Sequence, residues 1–402
     1  MKVFKDNQAA NAFYIAVLCS VSYLAVYFAK NVLSAVSNQM MDMGVISQSN
    51  IGVFSSTYFM CYAFGQLING TIGDKIKAKY MVGFGLALAG ISNFVFCYTL
   101  STPQVAQWVY GAMGVFLSMI FGPLSKTIAE NANPIYAPRC ALGYTFASFL
   151  GSPLAGVIAV FFVWNEVFTI STVALIAMGS IAFVIFSLLE RAKIIQYWNC
   201  GEKVIKPRGK DKIKILIKND IIRQSAVGII CGIIRTTVVF WLPVYLKQYL
   251  GFSAENASLI FAVVTFIVSA SAISAVFWYE RFGQNGRKAH LFLFSCSALG
   301  FLLLYFVKNS AVNVVLIVFA IFMSNSASSI TTCAYLPTLR ETGLVSTAAG
   351  YLDFISYMAA AVASTLFANA VTVIGWGNLI LVWTLLVAVG VGISLPYKRK
   401  NT

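Results

Sequence analysis

The segment "ERAKIIQYWNCGEKVIKPRGKDKIKILIKNDIIR", residues 190–223, is the longest polar stretch in a chain of 402 residues. Six apolar runs precede it, at roughly 12–37, 49–70, 78–99, 103–126, 140–163 and 167–189. Six follow, at roughly 221–247, 256–279, 289–307, 311–336, 345–372 and 375–395. A helix crosses a bilayer with ~20 apolar residues, so each run is a candidate span. The chain is 59% hydrophobic and 10% charged, where soluble domains carry about 25% charged residues. Mean hydropathy is +0.81. That leaves too little polar surface to face water, and lipid must be the main solvent. The runs lack the alternation of a membrane barrel, so an all-α chain is expected. The first run is long and directly followed by another, which reads as a retained span and not a cleaved signal.

The net charge of +15 would suit a nucleic-acid partner if it formed one patch. Instead Lys and Arg gather at alternate loops: Lys2 and Lys5; Lys75, Lys77 and Lys79; Arg139; the 191–223 segment; Arg281, Arg287 and Lys288; Arg340; and Lys398 to Lys400. The other loops hold Asp42, Glu166 and Glu255 with Lys247 and Lys308. This is the positive-inside pattern. It predicts an even number of spans, both termini in the cytoplasm, a bilayer as partner and no nucleic acid. The eight cysteines are scattered without a CxxC, and His290 is the single histidine. Neither a metal site nor a histidine-based triad is expected, and no enzyme motif or cofactor site is visible.

Residues 191–220 read as a cytoplasmic linker, partly an amphipathic helix at the membrane surface, between halves 1–190 and 221–402. The halves echo each other. "GTIGDKIKAK" (70–79) joins runs two and three, and "FWYERFGQNGRK" (277–288) joins runs eight and nine. Asp74-Lys75 and Glu280-Arg281 head these loops, with the acids 206 positions apart. Lys30, alone in "SYLAVYFAKNVLSAVS" (22–37), lies 205 positions before Arg235 in "CGIIRTTVVFWLPVYL". Duplicated six-helix halves with a site between them are the plan of many secondary transporters.

The loop at 70–79 resembles the signature loop of the major facilitator superfamily. Other stretches narrow the resemblance to its organophosphate:phosphate antiporters, which carry glycerol 3-phosphate and hexose phosphates. "YLAVYFAKNVLSA" resembles their helix 1, with Lys30 where an Arg usually stands. "IIRTTVVFWLPVYLK" resembles helix 7 with its Arg at Arg235, "FGPLSKT" helix 4, and "STAAGYLDFISYMAAAVAS" followed by Gly375-Trp376 helix 11. The resemblance implies two pseudo-symmetric six-helix bundles, a monomer in the cell (plasma or inner) membrane, and a Lys30–Arg235 clamp for a phosphoryl group.

The residues support the same reading independently. A charge at bilayer depth costs about 2.5–3.5 kcal/mol on insertion scales, so two such cations imply a watery cavity and an anionic ligand. Arg235 presents a two-pronged fork and Lys30 a point charge. Tyr23 and Tyr27 share a helix face with Lys30. Asp353, a third deep charge, maps onto Ser148 by the 205-residue offset. It would pair with a cation, titrate, or bind the substrate's own polar groups. Both positions depart from the family, as do Gln66, where relatives have a lysine, and Thr265. Lys126 either guides an anion or pairs with Glu130 one turn on. The superfamily resemblance implies that Asp74-Lys75 and Glu280-Arg281 brace neighbouring helix ends in one conformation, while Gly70 would let helix 2 pack closely against a neighbour.

The expected function is secondary active transport of an organic anion, a sugar phosphate or glycerol phosphate, exchanged for inorganic phosphate by alternating access. Two alternatives remain: a proton-coupled symporter of carboxylates such as sugar acids, and a non-transporting sugar-phosphate sensor.

Overall fold

A computed structural model describes residues 2–72, 76–132, 137–196, 210–339 and 345–395. The described secondary structure is entirely helical. Ten helices among the described residues are long and apolar enough to cross a membrane. In chain order the long segments are α1 (Lys2–Asp42), α2 (Gln48–Ile72), α3 (Ala78–Thr99) and α4 (Pro103–Ile128). There follow α5 (Ala137–Phe161), α6 (Trp164–Arg191), α7 (Ile221–Gln248) and α8 (Ala254–Arg281). Next come α9 (Gly286–Phe306) and α10 (Ser310–Ile330). Val345–Ser394 is nominally one helix, but Gly375 within it sits at φ 74°, ψ 169°. Essentially only glycine holds that conformation, so the segment divides into α11 (345–374) and α12 (376–394). All twelve apolar runs thus lie in helices.

Local chemistry sets several boundaries. Asn285 and Asn309 precede α9 and α10, and their side chains accept from Arg287 and Lys288 N–H and from Ala311 and Val312 N–H respectively. These caps satisfy donors that a helix start leaves open. α4 is interrupted between Ser118 and Phe121. Its second part begins "FGPLSK", with Pro123 in the first turn, where a missing N–H costs nothing. α7 contains a wider π-helical stretch at Ile233–Val238.

By their contacts the residues form two compact units, Met1–Glu202 with Leu242–Phe266, and Lys203–Trp241 with Ile267–Thr402. α7 passes from one unit to the other between Trp241 and Leu242, and α8 between Phe266 and Ile267. In the first unit Phe96 packs at 5.4 Å from Phe54, 4.8 Å from Tyr110 and 5.5 Å from Phe168, tying α2, α3, α4 and α6 together. In the second, Trp383 of α12 meets Phe301 of α9 at 5.9 Å and Phe367 of α11 at 5.9 Å. Large apolar side chains also line the outside, among them Phe161 (76% exposed) and Ile273 (75%). Such a surface suits acyl chains.

The linker contributes a helix at Lys210–Lys218. Its Leu216 is buried against Ile221, Leu339, Ala348 and Leu352.

Among several close helix crossings, one in each unit stands out as a repeat. A Cβ added at Gly151 of α5 would lie 2.5 Å from the Tyr27 backbone of α1. One added at Gly232 of α7 would lie 2.5 Å from the Ser356 backbone of α11. Each partner in the second crossing lies 205 positions after its counterpart in the first, matching the offset between Lys30 and Arg235. An Asn–Ser link also occurs in each half, though not at the 205-residue offset. Asn69 of α2 donates to Ser118 Oγ of α4 (2.7 Å), and Asn325 of α10 donates to Ser271 Oγ of α8 (2.8 Å).

Candidate functional site

Helical periodicity puts Tyr23, Tyr27 and Lys30 on one face of α1. Tyr23 and Tyr27 meet edge to face with centroids 5.1 Å apart. Tyr23 also packs against Phe121, at the start of the second part of α4, at 5.8 Å. Lys30 is 9% exposed. Its Nζ lies 5.2 Å from the Tyr27 ring centre and 5.0 Å from that of Tyr62 on α2. The faces of aromatic rings carry negative potential and attract a cation, by about 0.5–1 kcal/mol when exposed and ~2 when desolvated. Two rings therefore offset part of the cost of removing the ammonium from water. Tyr62 is itself buried and stacks on Tyr58 at 6.0 Å.

Tyr62 and Phe121 are absent from the sequence-based set of site residues. The only available signal was the i,i+4 spacing of Tyr58 and Tyr62, which in an apolar helix reads as ordinary packing.

Arg235 lies in the second unit, three residues past the Gly232 crossing and inside the π-helical stretch. It is half-buried. Wide turns of this kind occur often at functional sites. The helix carrying it is fastened to α11 by three further links. Ser356 Oγ donates to Gly228 O (2.9 Å), Thr237 Oγ1 to Ala360 O (3.0 Å), and Trp241 Nε1 to Ser364 Oγ (3.2 Å). Asp353 is half-buried on α11, three residues before Ser356. Ser148 holds the corresponding place on α5, three residues before Gly151; its side chain lies outside the described residues.

The other predicted residues are placed as follows. Gln66 is half-buried on α2, one turn past Tyr62. Thr265 donates within its own helix to Phe261 O (2.8 Å) and Ala262 O (3.1 Å). Lys126 lies 3.9 Å from Glu130. Gly70 is in α2, while Asp74 and Lys75 lie outside the described residues. Glu280 and Arg281 are exposed in the last turn of α8.

Two ion pairs that sequence reasoning did not anticipate tie helix ends at the basic loops. Lys79, at the start of α3, donates to Glu190 at the end of α6 (2.7 Å). Arg287, at the start of α9, donates to Asp220 just before α7 (2.5 Å). His290 is buried, with Nε2 3.1 Å from Ala327 O. Among the described residues no cluster of three or more His, Cys, Asp or Glu side chains could hold a metal ion.

Comparison with known proteins places these features in context. A match to the Major Facilitator Superfamily spans residues 17–364. The phosphoglycerate transporter protein of Salmonella typhimurium is 23% identical, covering 89% of this chain and 82% of that protein. The glycerol-3-phosphate transporter of Bacillus subtilis is also 23% identical, covering 81% and 77%. The membrane sensor protein UhpC of Escherichia coli is 29% identical over 93 residues, 23% of this chain. The chain spans only about a fifth of that sensor's length (21%). The crystal structure of the D-xylose-proton symporter superposes with a TM-score of 0.75 at 13% identity, over 97% of this chain and 99% of that one. A partially occluded inward-open structure of the xylose transporter XylE from E. coli gives 0.76 at 12%, over 98% and 100%. Besides the sensor, these relatives and superposed structures are membrane transporters and not enzymes. This multi-pass membrane chain belongs to the Major Facilitator Superfamily.

Proposed function

We propose that the protein carries a phosphate ester across the cell membrane by alternating access, exchanging it for inorganic phosphate. The observation that carries this reading is Lys30, an ammonium buried at depth between two tyrosine rings. Retaining such a charge costs about 2.5–3.5 kcal/mol, which a bound dianion would offset. Arg235 stands at the equivalent place in the repeat, three residues past the equivalent crossing. We assign the two cations jointly to the phosphoryl group, Arg235 through paired charge-assisted hydrogen bonds and Lys30 as a point charge. The similarity to a phosphoglycerate transporter and a glycerol-3-phosphate transporter supports this chemistry. The sequence halves 1–190 and 221–402, joined by 191–220, are the proposed moving bodies of a monomer. Exchange follows because two cations assigned to one site favour a bound anion in each crossing, so a counter-anion returns with each cycle. The test is counterflow of labelled glycerol 3-phosphate or a hexose phosphate into liposomes preloaded with phosphate. Uptake indifferent to internal phosphate refutes exchange.

A second reading, proton-coupled symport of a carboxylate, is favoured by Asp353, a half-buried acid on α11. Uptake that follows an imposed pH gradient and disappears in Asp353→Asn decides for it. The sensor reading draws on the short UhpC match and requires binding without flux.

A further inference from the structure

The second contact unit carries two guanidinium groups at helix starts, away from the Lys30 and Arg235 positions. Arg223 stands in the first turn of α7 and Arg287 in the first turn of α9. Both face the same carboxylate oxygen, Asp220 Oδ2. Arg287 Nη2 donates to it at 2.5 Å, while Arg223 Nε stays at 3.7 Å. The second approach is an ion pair but too long for a hydrogen bond.

Arg223 is thus left with donors that it cannot use. Its side chain is 17% exposed, and its Nε and Nη1 are buried with no hydrogen-bond partner among the described residues. The hydroxyl of Tyr335, in the π-helical turn Thr331–Tyr335 that follows α10, is buried and without a partner there too. Arg223 lies within electrostatic reach of Arg287, Asp220 and Tyr335. The neighbouring amide is engaged, since Gln224 Oε1 accepts from Thr331 Oγ1 (3.0 Å). The Tyr335 ring packs on the apolar cluster of Leu216, Ile221 and Leu339, whose side chains offer no acceptor.

A buried charged donor without an acceptor is costly. Two such donors and a hydroxyl are best served by an anion with three or more oxygens, which a tetrahedral oxyanion has and a carboxylate lacks. Guanidinium groups suit phosphate geometry in particular. The partial exposure of Arg223 and Arg287 leaves an approach from outside. We propose that Arg223, Arg287 and Tyr335 form an oxyanion site for a phosphate group, supplied by inorganic phosphate or by the headgroup of an anionic lipid. Its occupant would tie the starts of α7 and α9 to the end of α10. The site is separate from the proposed transport site. Arg223 precedes Arg235 by 12 residues on α7, about 18 Å at 1.5 Å per residue. It stands whether or not the protein is a carrier.

The test measures equilibrium binding of radiolabelled phosphate to purified, delipidated protein in a maltoside detergent. The Arg235→Ala background removes the proposed transport-site grip, and saturable binding should remain in it. Arg223→Gln should weaken that binding about tenfold or more, the equivalent of a lost charge-assisted hydrogen bond. Tyr335→Phe should weaken it about threefold, as for a neutral hydrogen bond. Asp220→Asn removes the competing carboxylate at a position with φ 65°, which Asn tolerates. It should tighten binding about two- to fivefold, a gain that a purely structural role would not produce. Should Arg223→Gln fail to fold, Tyr335→Phe and Asp220→Asn carry the test. The measurement is repeated in phosphatidylcholine nanodiscs with and without phosphatidylglycerol. Phosphate displaced by phosphatidylglycerol assigns the site to lipid, and phosphate binding that ignores it assigns the site to the free ion; both uphold the site. No saturable binding to the delipidated Arg235→Ala protein, or binding that ignores all of these substitutions, overturns it.

Discussion

The crossing of α1 with α5 and the crossing of α7 with α11 occupy the same place in the repeat, yet glycine stands on opposite partners. In the first it is Gly151 on α5, against Tyr27; in the second it is Gly232 on α7, against Ser356. The repeat therefore preserves the close backbone approach and not the residue that permits it. Either helix can give up its Cβ. Asn–Ser links also join α2 to α4 and α8 to α10, with the amide on α2 in one half and on α10 in the other, but they do not keep the 205-residue offset. Around this common frame the chemistry diverges. One crossing is followed by an ammonium on a regular helix between tyrosines, the other by a guanidinium on a π-helical turn. The position three residues before the crossing holds Ser148 in one half and Asp353 in the other. A common scaffold thus carries two unlike halves of one proposed binding site.

The strongest test of that equivalence is steric. Gly151→Val and Gly232→Val each drive a side chain into a facing backbone. Each should destabilise by about 3 kcal/mol or more, seen as loss of the monodisperse folded species after detergent extraction. If only one did so, the two crossings would not be equivalent. Next in size is Arg235→Ala, which should lower phosphate-ester exchange about a hundredfold with thermal stability retained, as expected for lost hydrogen bonds to a charged group. Arg235→Lys should fall nearly as far, because a point charge cannot reproduce the fork. Lys30→Arg should be tolerated, and that contrast sharpens the difference between the halves. Tyr62→Leu removes one of the two rings over Lys30. It should weaken binding of a phosphate ester, read by thermal shift, by about two- to thirtyfold. Smallest is Lys126→Gln, since a long, partly exposed pair of this kind is worth about 0.5 kcal/mol; melting and exchange should change little.

The fold was legible because hydrocarbon admits few solutions. Backbone groups without water must be satisfied within each helix, so apolar runs of sufficient length translate directly into spans. Gly375 marked the break before α12 for the same reason that any glycine at that backbone angle does. The binding residues were legible in proportion to their oddness. Lys30 and Arg235 are charges in apolar surroundings and announce themselves. Tyr62 is one aromatic among many in α2, and only its place beneath the ammonium distinguishes it. The helix-end ion pairs were illegible because they join residues far apart in sequence: Asp220 precedes α7 and Arg287 opens α9. No spacing rule links them, whereas Glu280 and Arg281 drew attention as the echo of Asp74-Lys75 206 positions earlier. Nor does the sequence foretell that α7 and α8 each change allegiance partway along their length.

That change of allegiance has a mechanical corollary. The π-helical stretch at Ile233–Val238 and the proline at position 243 flank the Trp241–Leu242 step where α7 leaves one contact unit for the other. Displaced hydrogen bonds and a missing N–H lower the resistance of a helix to bending. The rod that bears the guanidinium thus has a compliant elbow built in beside its charge, and torque applied at one end would be absorbed within a turn or two of Arg235.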